Sequence, residues 1–451
     1  MTKRTIFFAC LVFLFAFLVR AIAIDNRAPF DWDQNRDLEE VIKIRGGEGS
    51  LLGPIVKGAG GFYLGPLYYY LLVPSFTLMK GNPSALPLTS VIFDSLAAVL
   101  IFLVFKQLGW VRQTLITLFY ILSWHLIEAS RISWNVALSP LFIISVMAVL
   151  NNIIASRSAK NLYLWGFLFG LSFHIHVSLI PLIPLLTLLH FKKFAYPLKA
   201  YALAFFFFLA PLTPLIVYDL NNHLLNLKLA KNMFFIQKSL EFELFPMIII
   251  ALTKLGKVIS GIIFSRFSDN IYLGLIWFTL AFIFLRRNPL IKIASEILVI
   301  TTLLIVLFHD PAFPEYYFIA SYLPIIVIFI NSLFTLSKRG IIAFLIVVAT
   351  LALNLASYTR LDTPYSLNVK KQLVLSLRSL PQPLDIKEDF TPGRGGGIGY
   401  LLDYYSISRD PNASSKVILT DNVNYPSYFE GELAVDQARF GQIKTALFVV
   451  Q

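Results

Sequence analysis

The chain has 451 residues, 57% of them hydrophobic with 41 Phe, and only 14% are charged. A mean hydropathy of +0.71 excludes an ordinary soluble domain and describes a polytopic membrane protein. The formal net charge of +12 does not describe a nucleic-acid-binding surface. Most Lys and Arg outside the two polar regions fall in short gaps between apolar runs, where they set topology.

Residues 6–24 are apolar after Lys3 and Arg4. Ala21-Ile22-Ala23 has the form of a signal-peptidase site, but Arg20 interrupts the run and many further spans follow. The segment therefore reads as a retained signal-anchor with its amino end in the cytoplasm. Cys10, the single cysteine, lies inside it, so no intrachain disulfide forms. No Cys/His cluster has zinc spacing.

The first external loop, about 25–83, opens on the densest charge in the chain, with seven acidic residues between Asp25 and Glu48. Its centre is Phe30-Asp31-Trp32-Asp33-Gln34-Asn35-Arg36-Asp37. As a helix this places Asp33 and Asp37 on one face and Arg36 three residues from Asp33. Carboxylates held beside an apolar wall can act as bases near neutral pH; the plain alternative is a solvated loop with an acidic helix start. Residues 50–83 are apolar but punctuated by glycine and proline. They read as interfacial or re-entrant helices, because Tyr63, Tyr68, Tyr69 and Tyr70 suit a headgroup belt.

Apolar segments near membrane-spanning length, about 17–25 residues, then recur at 84–105, 114–130, 136–155, 161–177, 178–191, 200–218, 270–285, 292–308, 316–336 and 340–357. With the first they make about eleven transmembrane helices, while 240–266 reads as interfacial. Lys106 and Arg112, Arg157 and Lys160, Lys192, Lys193 and Lys199, Arg286, Arg287 and Lys292, and Lys338 and Arg339 occupy alternate gaps. All agree with a cytoplasmic amino end in the cell membrane. The opposite, extracytoplasmic face then receives the acidic stretch, Glu128–Asn135, His174, His176, the loop from Asp219, His309–Glu315, and everything after Tyr358. Residues 358–451 change composition. Pro381, Pro383, Pro392 and the run Gly393–Gly397 mark loops, and Lys416–Thr420 and Ala446–Val450 look like strands. A small extracytoplasmic α/β or mostly β domain is expected there, after a helical domain over 1–357.

The order of elements over residues 1–357 resembles the GT-C class of membrane glycosyltransferases. It is most similar to the bacterial protein O-mannosyltransferase and aminoarabinose-transferase superfamily. The residues carrying the resemblance are the acidic stretch, the segment Gly65-Pro66-Leu67-Tyr68-Tyr69-Tyr70, Ser130-Arg131-Ile132-Ser133-Trp134-Asn135, and Glu315-Tyr316-Tyr317-Phe318 leading to Leu323-Pro324. The resemblance implies an all-α transmembrane fold. It implies transfer of a sugar from a polyprenyl-phosphate donor to a protein, lipid or glycan acceptor, with inversion and without a cofactor or required metal. The family's catalytic aspartate maps to Asp33, here followed by Gln34 in place of the usual Glu, with Asp37 as the substitute second carboxylate. A lysine usual before Pro-Pro in the first loop is missing at Tyr63-Leu64-Gly65-Pro66. Donor phosphate binding is therefore expected of Arg131, Lys57 or His176.

Arg36, Tyr63, Glu128, Asn135, His174, Asp219, His309, Glu315 and Tyr316 are expected to line the cavity. Asp94, inside a span, reads equally as functional or as the partner of Arg20. Asp31-Trp32-Asp33 has the form of a metal-binding Asp-x-Asp, a short pattern that carries little weight. The rival class is a transporter or flippase of lipid-linked sugars. Transporters tend to place ionisable groups near the midplane and to show repeats, and neither is seen here.

Overall fold

The computed structural model of the protein describes residues 2–56, 61–191, 196–233, 244–265, 270–283, 288–308, 313–337, 340–358, 363–421, 428–429, 432–433 and 436–449. Its helices are α1 (Lys3–Ala21), α2 (Ile24–Arg27), α3 (Trp32–Arg45), α4 (Leu67–Leu78), α5 (Ala85–Val104), α6 (Trp110–Leu122), α7 (Trp124–Arg131), α8 (Ser139–Ser156), α9 (Ala159–Ser172), α10 (Leu182–His190), α11 (Leu198–Asn221), α12 (Leu225–Lys231), α13 (Leu244–Phe264), α14 (Ile271–Ile283), α15 (Pro289–Phe308), α16 (Tyr322–Leu336), α17 (Ile341–Ser357), α18 (Leu367–Leu377) and α19 (Ile398–Tyr404). Every apolar segment expected to span contains a helix. Among the described residues seven helical stretches are long and apolar enough to cross a membrane, α13 among them.

The acidic stretch, α3, defines one side of the bundle, called the site side here. The helix α13 was expected to lie at an interface, yet it is long and apolar enough to cross a membrane; its polar contacts are to the site side. Lys254 donates to the Phe313 carbonyl, while the carbonyls of Ile262 and Ile263 accept from Ser123 (2.9 Å) and Asn354 (3.0 Å). Phe313, Ser123 and Asn354 all belong to site-side ends of spans. The stretch from Lys254 to Ile263 therefore runs along that side.

The end of α1 ties the bundle together. Arg20 is fully buried and pairs with Asp94 of α5, which also accepts from the Tyr120 hydroxyl. Its other nitrogens donate to the carbonyls of Ile121 and Tyr120, both at 3.1 Å. Asp94 is thus the partner of Arg20, one of the two roles read for it. The last carbonyls of a helix need donors, and here they come from other elements. Arg131 of α7 donates to Arg20 O (3.0 Å) and Val19 O (3.2 Å), and Tyr358 after α17 to Val19 O (2.8 Å). Elsewhere α9 and α11 approach backbone to backbone. A Cβ on Gly166 or Gly170 would lie 2.1 or 2.2 Å from the carbonyl oxygens of Ala204 and Phe208, a small-residue seam usual between membrane helices.

After α17 comes a small α/β unit with strands β1 (Leu384–Asp389), β2 (Ser415–Thr420), β3 (Tyr428–Phe429), β4 (Glu432–Leu433), β5 (Asp436–Phe440) and β6 (Ile443–Val449). The main sheet has the order β1-β2-β6-β5. β1 and β2 run parallel across the α19 crossover, and the other pairs are antiparallel.

Removing one member of a buried ion pair strands the other, at a cost of about 3–5 kcal/mol. Asp94→Ala is expected to abolish or sharply lower the detergent melting transition. The double variant Arg20→Met/Asp94→Leu should recover most of it.

Candidate active site

Helix α3 begins with a reciprocal cap. The Asp31 backbone N–H donates to Gln34 Oε1 at 3.0 Å, closing a capping box around the Asp31 side chain. Gln34 Nε2 then donates to Ser133 O at 2.8 Å. A glutamate could make the first bond but has no N–H for the second. The departure from the Asp-Glu pattern therefore has a local structural reason: this position anchors α3 to the segment after α7.

One turn on, Arg36 bridges two carboxylates. Its Nη1 lies 2.8 Å from Asp33 Oδ1, and its Nη2 and Nε lie 2.5 and 2.9 Å from Asp37 Oδ1. The Asp33 side chain remains 22% exposed whereas Asp37 is closed in completely, with Oδ2 buried and unpartnered. Burial pushes the Asp37 carboxyl up to about 7 against the pull of Arg36. Burial also opposes the Arg36 charge, but Asp37, Tyr69 and Asp33 outweigh it and raise the Arg36 pKa.

The wall that buries Asp37 is the tyrosine segment of α4. Tyr68 is fully buried and Tyr69 nearly so. The Tyr68 hydroxyl bonds both Ser90 and Ser133 at 2.8 Å. This corrects the headgroup-belt assignment for these two residues, which turn inward because their hydroxyls find partners there. Tyr70 alone of the three is exposed and bonds the Ser50 backbone.

An aromatic group stands near Asp33. The rings of Trp134 and Tyr316 are 4.7 Å apart, and His176 lies 4.9 Å from Tyr317 and 5.8 Å from Tyr316. The Asp33 charge lies within electrostatic reach of Tyr316. Of the residues expected to form the site, the structure thus gathers Asp33, Arg36 and Asp37, with Tyr316 and His176 on its aromatic side.

Other expected residues have structural work. Arg131 is fully buried, committed to Glu128 at 2.8 Å and to the end of α1, so its assignment to donor phosphate is corrected. His174 accepts from Leu67 N–H at Nδ1 (3.3 Å) and donates to Pro211 O from Nε2 (2.6 Å). These partners require the neutral ring. It is a strut rather than a cavity wall, and a Cβ on Gly65 would lie 2.1 Å from it. Asn135 donates to Ile175 O. Asp219 Oδ1 accepts from Asn226 N–H at 2.7 Å, and the Asn226 amide in turn grips the backbone of Tyr63 at 2.6 and 3.0 Å. Glu315 lies 3.8 Å from Lys257. Lys57 and His309 lie outside the described residues.

Two lysines of α18, not singled out in the sequence, complete the site from behind. The buried Lys370 ammonium donates to Phe30 O, to Arg394 O (2.6 Å) and to Gly396 O (2.8 Å), and lies 3.3 Å from Asp31 Oδ1. Burial lowers its pKa to about 8, with Asp31 opposing the shift. Lys371 bonds Asp25 (2.7 Å), Ser84 (2.7 Å) and Asn82 (3.3 Å). The glycine run is the other half of this joint: a Cβ on Gly396 would lie 2.8 Å from Asp31 backbone and one on Gly397 2.0 Å from Phe30. Asp31 therefore faces Lys370 and Arg394 while Asp33 faces Arg36, so the Asp-x-Asp pair does not converge. Among the described residues no group of three His, Cys, Asp or Glu is arranged to hold a metal.

No known family's sequence model matches the chain, and no curated protein matches it in sequence. Its structure is similar to crystal structures of ArnT from Cupriavidus metallidurans. The similarity to the form bound to undecaprenyl phosphate has a TM-score of 0.58 at 11% identity, over 98% of each chain. For the apo form the TM-score is 0.60 at 11% identity, over 99% of this chain and 98% of that one. The likeness is one of fold, and it bears out the expected resemblance at that level.

Gln34→Glu would set a carboxylate against the Ser133 carbonyl. A loss of about 1–3 kcal/mol is expected, read as a lower melting temperature. Lys370→Met is expected to free the α18 unit from α3, seen as faster limited proteolysis after Tyr358.

Proposed function

We propose that this protein is a multi-pass membrane glycosyltransferase of the cell membrane. It moves a sugar from a polyprenyl-phosphate donor to a protein, lipid or glycan acceptor on the extracytoplasmic side, with inversion. The observation that carries the reading is the Asp33–Arg36–Asp37 arrangement, with one carboxylate open and one closed, at the site-side ends of a bundle that shares its fold with ArnT bound to undecaprenyl phosphate. Orientation follows from the basic gaps between spans.

In this reading Asp33 takes the proton of the acceptor hydroxyl as its oxygen attacks the anomeric carbon. The bond from that carbon to the phosphate oxygen breaks, and its electron pair leaves with the phosphate. A single displacement inverts the centre. Arg36 holds and aims Asp33, and Asp37 anchors Arg36. Trp134 and Tyr316 offer aromatic faces to the sugar. The chemistry is proposed to need no metal.

Positioned general bases contribute about 10²–10⁴-fold. Asp33→Asn is expected to lose at least a hundredfold of transfer from polyprenyl-phosphate sugars while melting like wild type, and EDTA should leave wild-type turnover unchanged. Full activity of Asp33→Asn would refute the assignment. Movement of intact lipid-linked sugar across liposomes without transfer would instead establish the transporter class.

Asp37 predicts opposite pH trends for stability and activity. Its folded pKa, about 7, lies above the unfolded value near 3.9, so the folded state holds a proton that the unfolded chain releases. The stability this contributes is full below about 4 and is lost as pH rises through 7. Activity should rise over the upper part of that window, as ionised Asp37 anchors Arg36 in its place beside Asp33. A kcat/KM limb near 7 in wild type, absent in Asp37→Asn, checks this.

A further inference from the structure

Arg27, in α2 directly after the first span, is only 3% exposed. Its Nε and Nη1 are buried with no hydrogen-bond partner. A guanidinium cannot shed its charge as a buried lysine can, and an unpaired buried charge costs several kcal/mol. The nearby carboxylates make their hydrogen bonds to other cations, although Glu128 lies within electrostatic reach of Arg27 and Asp25 keeps Oδ1 unpartnered. Glu128 serves Arg131 at 2.8 Å, Asp94 serves Arg20, and Asp25 gives Oδ2 to Lys371 at 2.7 Å. A second guanidinium stands close by: Arg27 lies 4.3 Å and Arg131 5.8 Å from the centre of the same Tyr358 ring. The cluster of Arg27, Arg131 and Glu128 thus carries one positive charge in excess. It lies at the site-side boundary of the spans, with the Glu128 side chain, 39% exposed, as its outer member.

We propose that Arg27 binds the phosphate group of a lipid. A phosphate at this boundary supplies what the geometry lacks: a negative charge with several acceptor oxygens for the guanidinium fork. Either a bilayer phospholipid or a polyprenyl phosphate presents that group at this depth. The site rests on the unpartnered Nε and Nη1 of Arg27 and does not require the transferase reading.

The test uses the full chain, delipidated in neutral detergent, with two matched pairs of ligands: dioleoyl phosphatidylglycerol against dioleoylglycerol, and undecaprenyl phosphate against undecaprenol. Wild type is expected to bind, and be thermally stabilised by, a phosphorylated lipid but not its phosphate-free twin. Arg27→Met should lose at least tenfold of that affinity and the accompanying melting shift, and Arg27→Lys should retain part of both. Without lipid, Arg27→Met should melt at or above wild type, because the uncompensated charge is gone, an outcome that a merely structural arginine would not give. Loss confined to phosphatidylglycerol assigns the site to bilayer lipid; loss confined to undecaprenyl phosphate assigns it to the carrier; loss of both assigns a shared site. Equal binding of twins by wild type, unchanged affinity in Arg27→Met, or a lipid-free Arg27→Met melting below wild type would overturn the proposal. Should Arg27→Met not fold, Arg27→Gln replaces it under the same criteria.

Discussion

The site side depends on how α1 ends. A helix finishing near a low-dielectric interior exposes carbonyls that must be met, and here the donors come from side chains far along the chain. Arg131 and Tyr358 take the carbonyls of Val19 and Arg20, and Arg20 itself reaches α5 and α6 through Asp94 and the carbonyls of Tyr120 and Ile121. Five helices are therefore registered against one another at a single level. Ala23, in the left-handed region at φ 52°, then turns the chain into α2 and on toward α3.

From that anchor, α3 is held on three sides. Gln34 fastens it to the backbone after α7, Tyr68 and Tyr69 of α4 wall in Asp37, and Lys370 grips the backbone of Phe30 at its start. The first and last of these are buried hydrogen bonds to backbone carbonyls and the second is packing, and together they keep a partly exposed carboxylate in one place. The tail, expected as a separate small domain, is joined to the acidic helix itself, and its glycines permit the close approach. The Arg36 bridge then divides two like carboxylates into an open one and a closed one.

Much of this was legible in the residues. Every expected apolar span contains a helix, the acidic stretch is one, and the sequence offered Arg20 as a partner for Asp94. The strand-like run at Lys416–Thr420 falls within β2. The failures share a cause. Arg131 looked like a phosphate ligand because nothing local shows that its acceptors are carbonyls 111 and 112 positions earlier. The tyrosines of α4 looked interfacial because aromatic composition is the same for a headgroup belt and a hydrogen-bonded wall. Lys370 and Lys371 carry no local signal, since burial of a lysine depends on carbonyls gathered from distant loops. The Gln34 cap was the exception: Asp-x-x-Gln is a local signal, obscured by reading that glutamine only as a missing glutamate.

The Lys370 joint also has a consequence for how the protein is made. The lysine that fixes the start of the acidic helix is encoded 340 residues after the carbonyl it holds. A nascent chain that has already inserted its spans can hold α3 through Gln34 and α4 but not at its start, and every polypeptide truncated before α18 lacks that restraint. Assembly of the site is thereby timed to the end of synthesis, so incomplete products are built without a finished centre.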